Sequence, residues 1–514
     1  MSLQKASKTA WVAASALTLA LIVAAMVGCG SSSSSGDEPT FSAEGYPGID
    51  AGGTRHAKGS GIDSSSVTGL EEAWTVPGTA KSSYGSFSSS PVVSEGIVYM
   101  QDLESNVQAI DLESGEVLWT QSYRDPTQGP NGISVGDGRV YGATSNSAFA
   151  LDQETGKQLW QTGKLTRRQE GIDMPVGYQD GLVYVSTVPT NVTSTYPAGG
   201  VGTLFALDAK TGKQDWTFDT VPPDLWGDPS VNAGGGLWYE PTFDGKGFMY
   251  FGVGNPAPFP GTPEKPWGAS RPGPNLYTNS IVKLDAKTGK MQWHYQLTPH
   301  DVYDWDLQDP PMLVSSGGRD LAITAGKSGI VLAVDAKTGK PVWKQPVGKH
   351  NGHTDDGLFA MRGEYDKLKP GATVYPGKLG GVIAPMATDG KTVFAPVVNH
   401  SLTVTSGSEL GEGADMSGEL VALDVASGKV KWKYELPSAA FGAPVVVNDV
   451  VFGSSYEGGL YALDANSGGE LWVASLPAGV NAGLTVSGDT LLAPAGATVA
   501  EGQLPGLVAY TLGG

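Results

Sequence analysis

Short runs of alternating apolar and polar positions recur along this chain, and many of them end in the same phrase. Leu204, Ala206 and Asp208 lie two apart, the period of a half-buried strand. Asp208 then opens a turn, Gly212 ends it, and Trp216 follows on the returning strand. Copies of this phrase also end at Trp119, Trp160, Trp293, Trp343, Trp432 and Trp472, and a fragment around Trp74 keeps only the last strand. Each copy predicts strand, tight turn, strand. The Asp side chain bonds the turn backbone, and Gly accepts the positive φ that such hairpins need. A tryptophan at one fixed place per copy predicts an indole plate docked between neighbouring units.

The shortest repeats are roughly 40 residues apart, which suits a four-stranded propeller blade. Leu507–Leu512 matches the strand before the turn but has no tryptophan after it, whereas the Trp74 strand has no partner before it. Together they would make one blade. The expected fold is therefore all-β: an eight-bladed propeller over residues 46–514, its ring closed by the N- and C-terminal strands. With 73 glycines in 514 residues the chain is turn-rich, and 40% hydrophobic residues suffice for a large core. A formal net charge of −19 argues against nucleic-acid binding, which calls for a basic surface.

Lys5 and Lys8 precede an apolar run from Trp11 to Met26 that leads into Met26-Val27-Gly28-Cys29. Residues 1–28 read as a secretory signal peptide, and the tetrad resembles a bacterial lipobox with Cys29 as the lipidated residue. Residues 29–45, rich in serine, read as a flexible tether. The protein is thus expected outside the cytoplasm, held to a bacterial membrane by a lipid anchor. Cys29 is the sole cysteine, so the chain has no internal disulfide and no Cys-x-x-Cys-His haem motif.

Two gaps between tryptophans, Trp216–Trp293 and Trp343–Trp432, are longer than the rest, and insertions in a repeat array gather on a binding face. The first holds GGGLWYEPTFD, YFGVGNPAPFP and RPGPNLYTNS; just past Trp293 comes TPHDVYDWDLQDPP. This last segment places His300, Asp301, Asp304 and Asp306 close together. On a strand, Asp304 and Asp306 would share a face, and with Asn255 they offer hard oxygen ligands for Ca²⁺ or a similar ion. A carboxylate beside such a cation also suits a general base. The alternative is that these residues cap turns on a polar rim. His350 and His353, followed by Asp355 and Asp356, form a second candidate metal loop or simply a solvated one.

These motifs resemble the quinoprotein alcohol dehydrogenases, in which an eight-bladed propeller holds pyrroloquinoline quinone (PQQ) over a metal ion. The resemblance covers nearly the whole mature chain. It implies that Trp238 of GGGLW is the floor under the quinone and that Asn255 of GVGNP ligates the metal. It implies that Asp304, in a Pro-His-Asp-x-x-Asp segment, is both catalytic base and metal neighbour. Asp306 stands where lanthanide-using members carry an extra aspartate, and Lys327 of AGKSG where a basic residue contacts the quinone oxygens. The implied cofactors are PQQ and a Ca²⁺ or lanthanide ion.

The chain also departs from the family pattern. The adjacent cysteine pair has no counterpart. Pro130-Asn131-Gly132 replaces Asn-Arg-Gly, and GGVIAPMATD lacks its usual tryptophan. No acidic residue precedes Asp208 where the family has its metal-binding glutamate; Asp219, Asp224 and Asp228 are the nearby substitutes. The implied activity is oxidation of an alcohol or sugar-type CH–OH group, with electrons passing to a separate acceptor. The alternative is a noncatalytic propeller of the same repeats that binds a protein partner in the cell envelope, like the scaffold of the outer-membrane β-barrel assembly machinery.

Overall fold

The computed structural model describes residues 45–167, 169–190, 199–222 and 227–513. The expected signal peptide, Cys29, all but the last residue of the tether, and Asp224 lie outside them. No helix among the described residues is long and apolar enough to cross a membrane.

Each hairpin predicted from the repeat is present. In the first blade the strands Val92–Ser94, Ile97–Gln101, Val107–Asp111 and Val117–Gln121 pair with their chain neighbours, all antiparallel. The same meander recurs over residues 134–161, 177–219, 242–296, 312–346, 373–436 and 445–475. Burial follows position in the blade. Thr203–Asp208 is buried along nearly its whole length, whereas the returning strand Gln214–Asp219 alternates between exposed and half-buried residues. Inner strands of adjacent blades share apolar clusters; Val183 and Tyr184 of one pack with Phe243 and Phe251 of the next.

The structure corrects the expectation of an eight-bladed ring. Among the described residues, seven blades are each drawn from one consecutive stretch of chain. The remaining strands, Thr485–Ser487, Thr490–Ala495 and Gly506–Leu512, combine with Leu70–Pro77 in a composite sheet, Leu70 lying opposite Leu512. That sheet is not a further copy of the repeat, because no Asp–Gly hairpin links its two outer strands. Nor are the seven uniform. The sheet over residues 373–436 has six strands, and His56–Ala57 adds a fifth to the sheet of residues 445–475 by pairing parallel with Val446 and Val447.

The tryptophan has the role its spacing predicted. The Trp343 Nε1–H donates to the Val425 carbonyl of the following blade at 2.9 Å, and Trp74, Trp119, Trp160, Trp293 and Trp432 make the equivalent bond. The turn glycine of the following blade lies flat on the indole. A Cβ on Gly428 would come within 2.5 Å of the Trp343 ring, and its φ of +71° also disfavours a side chain. Gly in the repeat is thus required both by its own turn and by its neighbour's tryptophan.

Candidate functional site

The first insertion folds back on itself beside the blade of residues 242–296. Ala233–Gly234 pairs antiparallel with Pro256–Ala257, and the Gly254 N–H donates to the Gly236 carbonyl at 2.8 Å. This short ladder lays GGGLW against GVGNP. A Cβ on Gly254 would lie 3.2 Å from Trp238 Nε1 and 2.7 Å from Asp306 Oδ1, so only glycine admits both groups there. Trp238 is half-buried, which leaves part of its ring uncovered.

The segment after Trp293 is not a strand, so Asp304 and Asp306 do not meet by strand alternation. Asp301 organises it instead. Its buried carboxylate accepts the backbone N–H of Tyr303 at 2.9 Å and of Trp305 at 2.7 Å. Between these two donors the chain turns through Asp304, whose φ is +65°. Asp and Asn tolerate that region better than most residues. Buried Arg271 supports the turn from beneath: its guanidinium donates to the Asp301 carbonyl and, at 3.2 Å, to the Pro258 carbonyl. Arg271 and Asp301 carry no chemistry of their own here, and their positioning roles were hidden in sequence because each works through backbone groups.

Lys327 draws the carboxylates together. Its Nζ lies 3.0 Å from Asp304 Oδ2 and 2.6 Å from Asp306 Oδ2, and all three side chains are buried. The second oxygen of Asp306 accepts the Asn255 backbone N–H at 2.6 Å. Asp304 Oδ1 has no hydrogen-bond partner. Burial raises the Asp304 pKa, the Lys327 charge opposes this, and the Asp306 charge adds to it. Lys327 has its own pKa raised by the two carboxylates, against burial. Of the expected residues, Asp304, Asp306 and Lys327 are joined through their side chains, Asn255 reaches them through its backbone N–H while its side-chain amide donates to the Pro256 carbonyl, and Trp238 lies across Gly254 from Asp306.

Other candidates stand apart from this group. Both ring nitrogens of His300 face carbonyls, Gly273 at 2.8 Å and Trp267 at 3.1 Å, and burial depresses its pKa to about 4. A neutral imidazole donates to only one of them. Asp219 is exposed and accepts from Thr203 Oγ1 at 2.9 Å. Asp228 is exposed and accepts the Ser230 N–H at 2.8 Å. His353 Nδ1 lies 2.7 Å from Asp356 Oδ2, which also accepts the Tyr303 hydroxyl at 2.5 Å. His350 faces the Gly329 and Val347 carbonyls. Among the described residues, no three His, Cys, Asp or Glu side chains gather as a metal site.

Sequence reasoning missed Glu240, two residues past Trp238. With Arg55 it lines a cavity of about 20 Å³, room for roughly one water. The Arg55 guanidinium is spent on the Pro444 and Pro47 carbonyls at 2.8 and 2.9 Å, and Glu240 Oε2 has no partner. Burial lifts the Glu240 carboxyl to about 7 despite the Arg55 charge. For an acid whose folded pKa is raised, the stabilising contribution is full below the ordinary carboxyl range and lost as pH rises through the folded value. The melting temperature should therefore fall between about pH 4 and about pH 8. Glu240→Gln should flatten that fall, by an amount equivalent to roughly 3 kcal/mol at the alkaline end. Parallel wild-type and variant curves would show that Glu240 does not titrate in this range.

Comparison with known proteins gives two family matches. Residues 170–355 match the model for the glucose/ethanol/alcohol dehydrogenase β-propeller domain. Residues 63–198 and 377–511 match the model for outer membrane protein assembly factor BamB. A quinohemoprotein alcohol dehydrogenase of Comamonas testosteroni is 30% identical over 430 residues, covering 72% of this chain and 57% of the relative. The dehydrogenase subunit of a quinone-linked alcohol dehydrogenase of Gluconobacter oxydans is 28% identical, covering 60% of this chain and 46% of the relative. The chain thus spans about half the length of the curated relatives it matches. Among solved structures, the Comamonas enzyme superimposes with a TM-score of 0.76 at 24% identity, covering 91% of this chain and 80% of that one. A europium-containing methanol dehydrogenase gives 0.74 at 19%, covering 91% and 97%. At these identities the structural likeness speaks for the fold alone.

Proposed function

Because the chain belongs to the PQQ-dependent alcohol dehydrogenase-like family of β-propeller repeat proteins, we propose that it binds PQQ and oxidises an alcohol or sugar-type substrate. The observation that carries this reading is the buried Asp304 carboxylate: one oxygen is held by Lys327, the other is without a partner, and Trp238 lies across Gly254 from Asp306. A bound quinone would supply the two-electron oxidant. The residues present fit such a planar ligand: a partly uncovered indole to lie under it, and an ammonium beside it to meet its oxygens.

Asp304 Oδ1 is the base that takes the substrate hydroxyl proton. Asp301 and Arg271 fix the turn that aims it, and Lys327 favours its ionised form. Burial pushes the other way, so the base ionises above the usual carboxylate range. Turnover should rise with pH through that higher range, and Lys327→Met should move the rising limb further up. A pH profile unchanged by Lys327→Met would count against Asp304 as the titrating base.

The expected metal ligands do not make a site for a divalent or trivalent ion, because Asp306 has one oxygen on a backbone N–H and the other against the Lys327 ammonium. No step is assigned to such an ion. Electrons would pass to an acceptor outside the propeller, whose residues 46–514 hold no cysteine for haem attachment. We place the protein outside the cytoplasm, anchored to a bacterial membrane through Cys29. The test is a dye-linked assay of PQQ-loaded protein across alcohols and sugars. Turnover of one class supports the reading, and none with any class argues for a noncatalytic propeller.

That second reading, a scaffold for an envelope protein partner, is favoured by the match of residues 63–198 and 377–511 to an assembly-factor model. The buried Asp304–Lys327–Asp306 cluster weighs against it, because a scaffold gains nothing from ion pairs that are costly to bury.

A further inference from the structure

Lys327 stands between the two carboxylates that the sequence offered to a metal ion. Its Nζ sits between Asp304 Oδ2 at 3.0 Å and Asp306 Oδ2 at 2.6 Å, the latter an ion pair rather than an aligned hydrogen bond. With Asp306 Oδ1 on the Asn255 N–H, Asp304 Oδ1 is the one carboxylate oxygen of the pair with neither a hydrogen bond nor an ion-pair partner. Calcium takes about 6–8 oxygens, and its affinity follows the number of anionic ligands. An ion approaching Asp304 Oδ1 would also meet the ammonium at close range in a buried site, where like charges repel strongly.

Among the described residues no third His, Cys, Asp or Glu side chain joins the two carboxylates to balance a 2+ or 3+ ion. A single positive charge needs fewer carboxylates, and once both aspartates are ionised the cluster carries one net negative charge with Lys327 protonated. An ammonium has three N–H donors. Two face the carboxylates, which leaves one for a further acceptor.

We infer that Lys327 is the built-in cation of this site, and that it holds a quinone-type ligand without Ca²⁺ or a lanthanide. The identity of that ligand rests on the reading given above; the statement about the ion does not.

The test uses the full chain, stripped of metal with a chelator. Ca²⁺ and La³⁺ are titrated separately by calorimetry, with the melting temperature followed in parallel. Wild-type protein should show neither binding heat nor an ion-dependent melting shift. PQQ should quench tryptophan fluorescence with the same affinity in chelator as in excess Ca²⁺ or La³⁺. Lys327→Met frees both carboxylates and should raise La³⁺ affinity roughly tenfold or more. Stoichiometric binding of either ion to wild-type protein, abolished by Asp306→Asn, would overturn the inference. So would quenching by PQQ that appears only when an ion is added. These wild-type measurements decide the matter even if Lys327→Met does not fold. Failure of PQQ to bind under every condition would overturn the quinone reading instead, and the ion titrations would still decide the role of Lys327.

Discussion

Asp304→Asn should lower turnover by about 10²–10⁴, the usual worth of a positioned general base, while leaving the fold and the melting temperature nearly unchanged. The choice of Asn matters. Residue 304 sits at a φ of +65°, which Asn tolerates about as well as Asp, whereas Ala there would add backbone strain. The Asn carbonyl oxygen can still accept from Lys327 Nζ, so the ion-pair geometry is largely kept. What is lost is the capacity of Oδ1 to take a proton. PQQ affinity should change far less than turnover. Full residual activity would remove Asp304 from the role of base, and loss of folding would make it a structural residue.

Trp343→Ala should destabilise the propeller by about 3–5 kcal/mol, the range for truncating a large aromatic, read as a fall in melting temperature. The loss has two parts: the indole N–H bond to the Val425 carbonyl at 2.9 Å, and the plate on which the Gly428 turn of the next blade rests. Trp216 separates them. Its Nε1 has no partner, yet a Cβ on Gly289 would still lie 2.6 Å from its ring. Trp343→Phe should therefore cost more than Trp216→Phe, by about the 1 kcal/mol of a net hydrogen bond. Equal costs would mean that ring packing alone joins the blades.

The repeat was legible because its signals are local. A turn Asp, a turn Gly and a Trp at fixed spacing specify a hairpin whatever lies elsewhere, and their recurrence implies stacking. The blade count was less legible, because the terminal sheet lacks the Asp–Gly hairpin of the repeat, although the pairing of Leu70–Pro77 with Gly506–Leu512 that the two unmatched ends implied is present. At the site, residue types pointed to segments that the structure brings together, but not to their contacts. Asp304 and Asp306 read as ligands two apart on a strand. They are joined instead by Lys327, 23 residues beyond Asp304, across a turn shaped by the Asp301 carboxylate. Glu240 gave no signal, because its significance lies in burial without a partner, which only the packed centre of the propeller creates.

The most direct measurement is a titration of metal-stripped protein with PQQ, in chelator and then with Ca²⁺ or La³⁺ added, following the quinone absorption band and tryptophan quenching together. Saturable, one-to-one binding in chelator, weakened by Lys327→Met and with the quenching reduced by Trp238→Phe, is the expected result. No binding in chelator, with Ca²⁺ or with La³⁺ would contradict the assignment of this cluster as a quinone site.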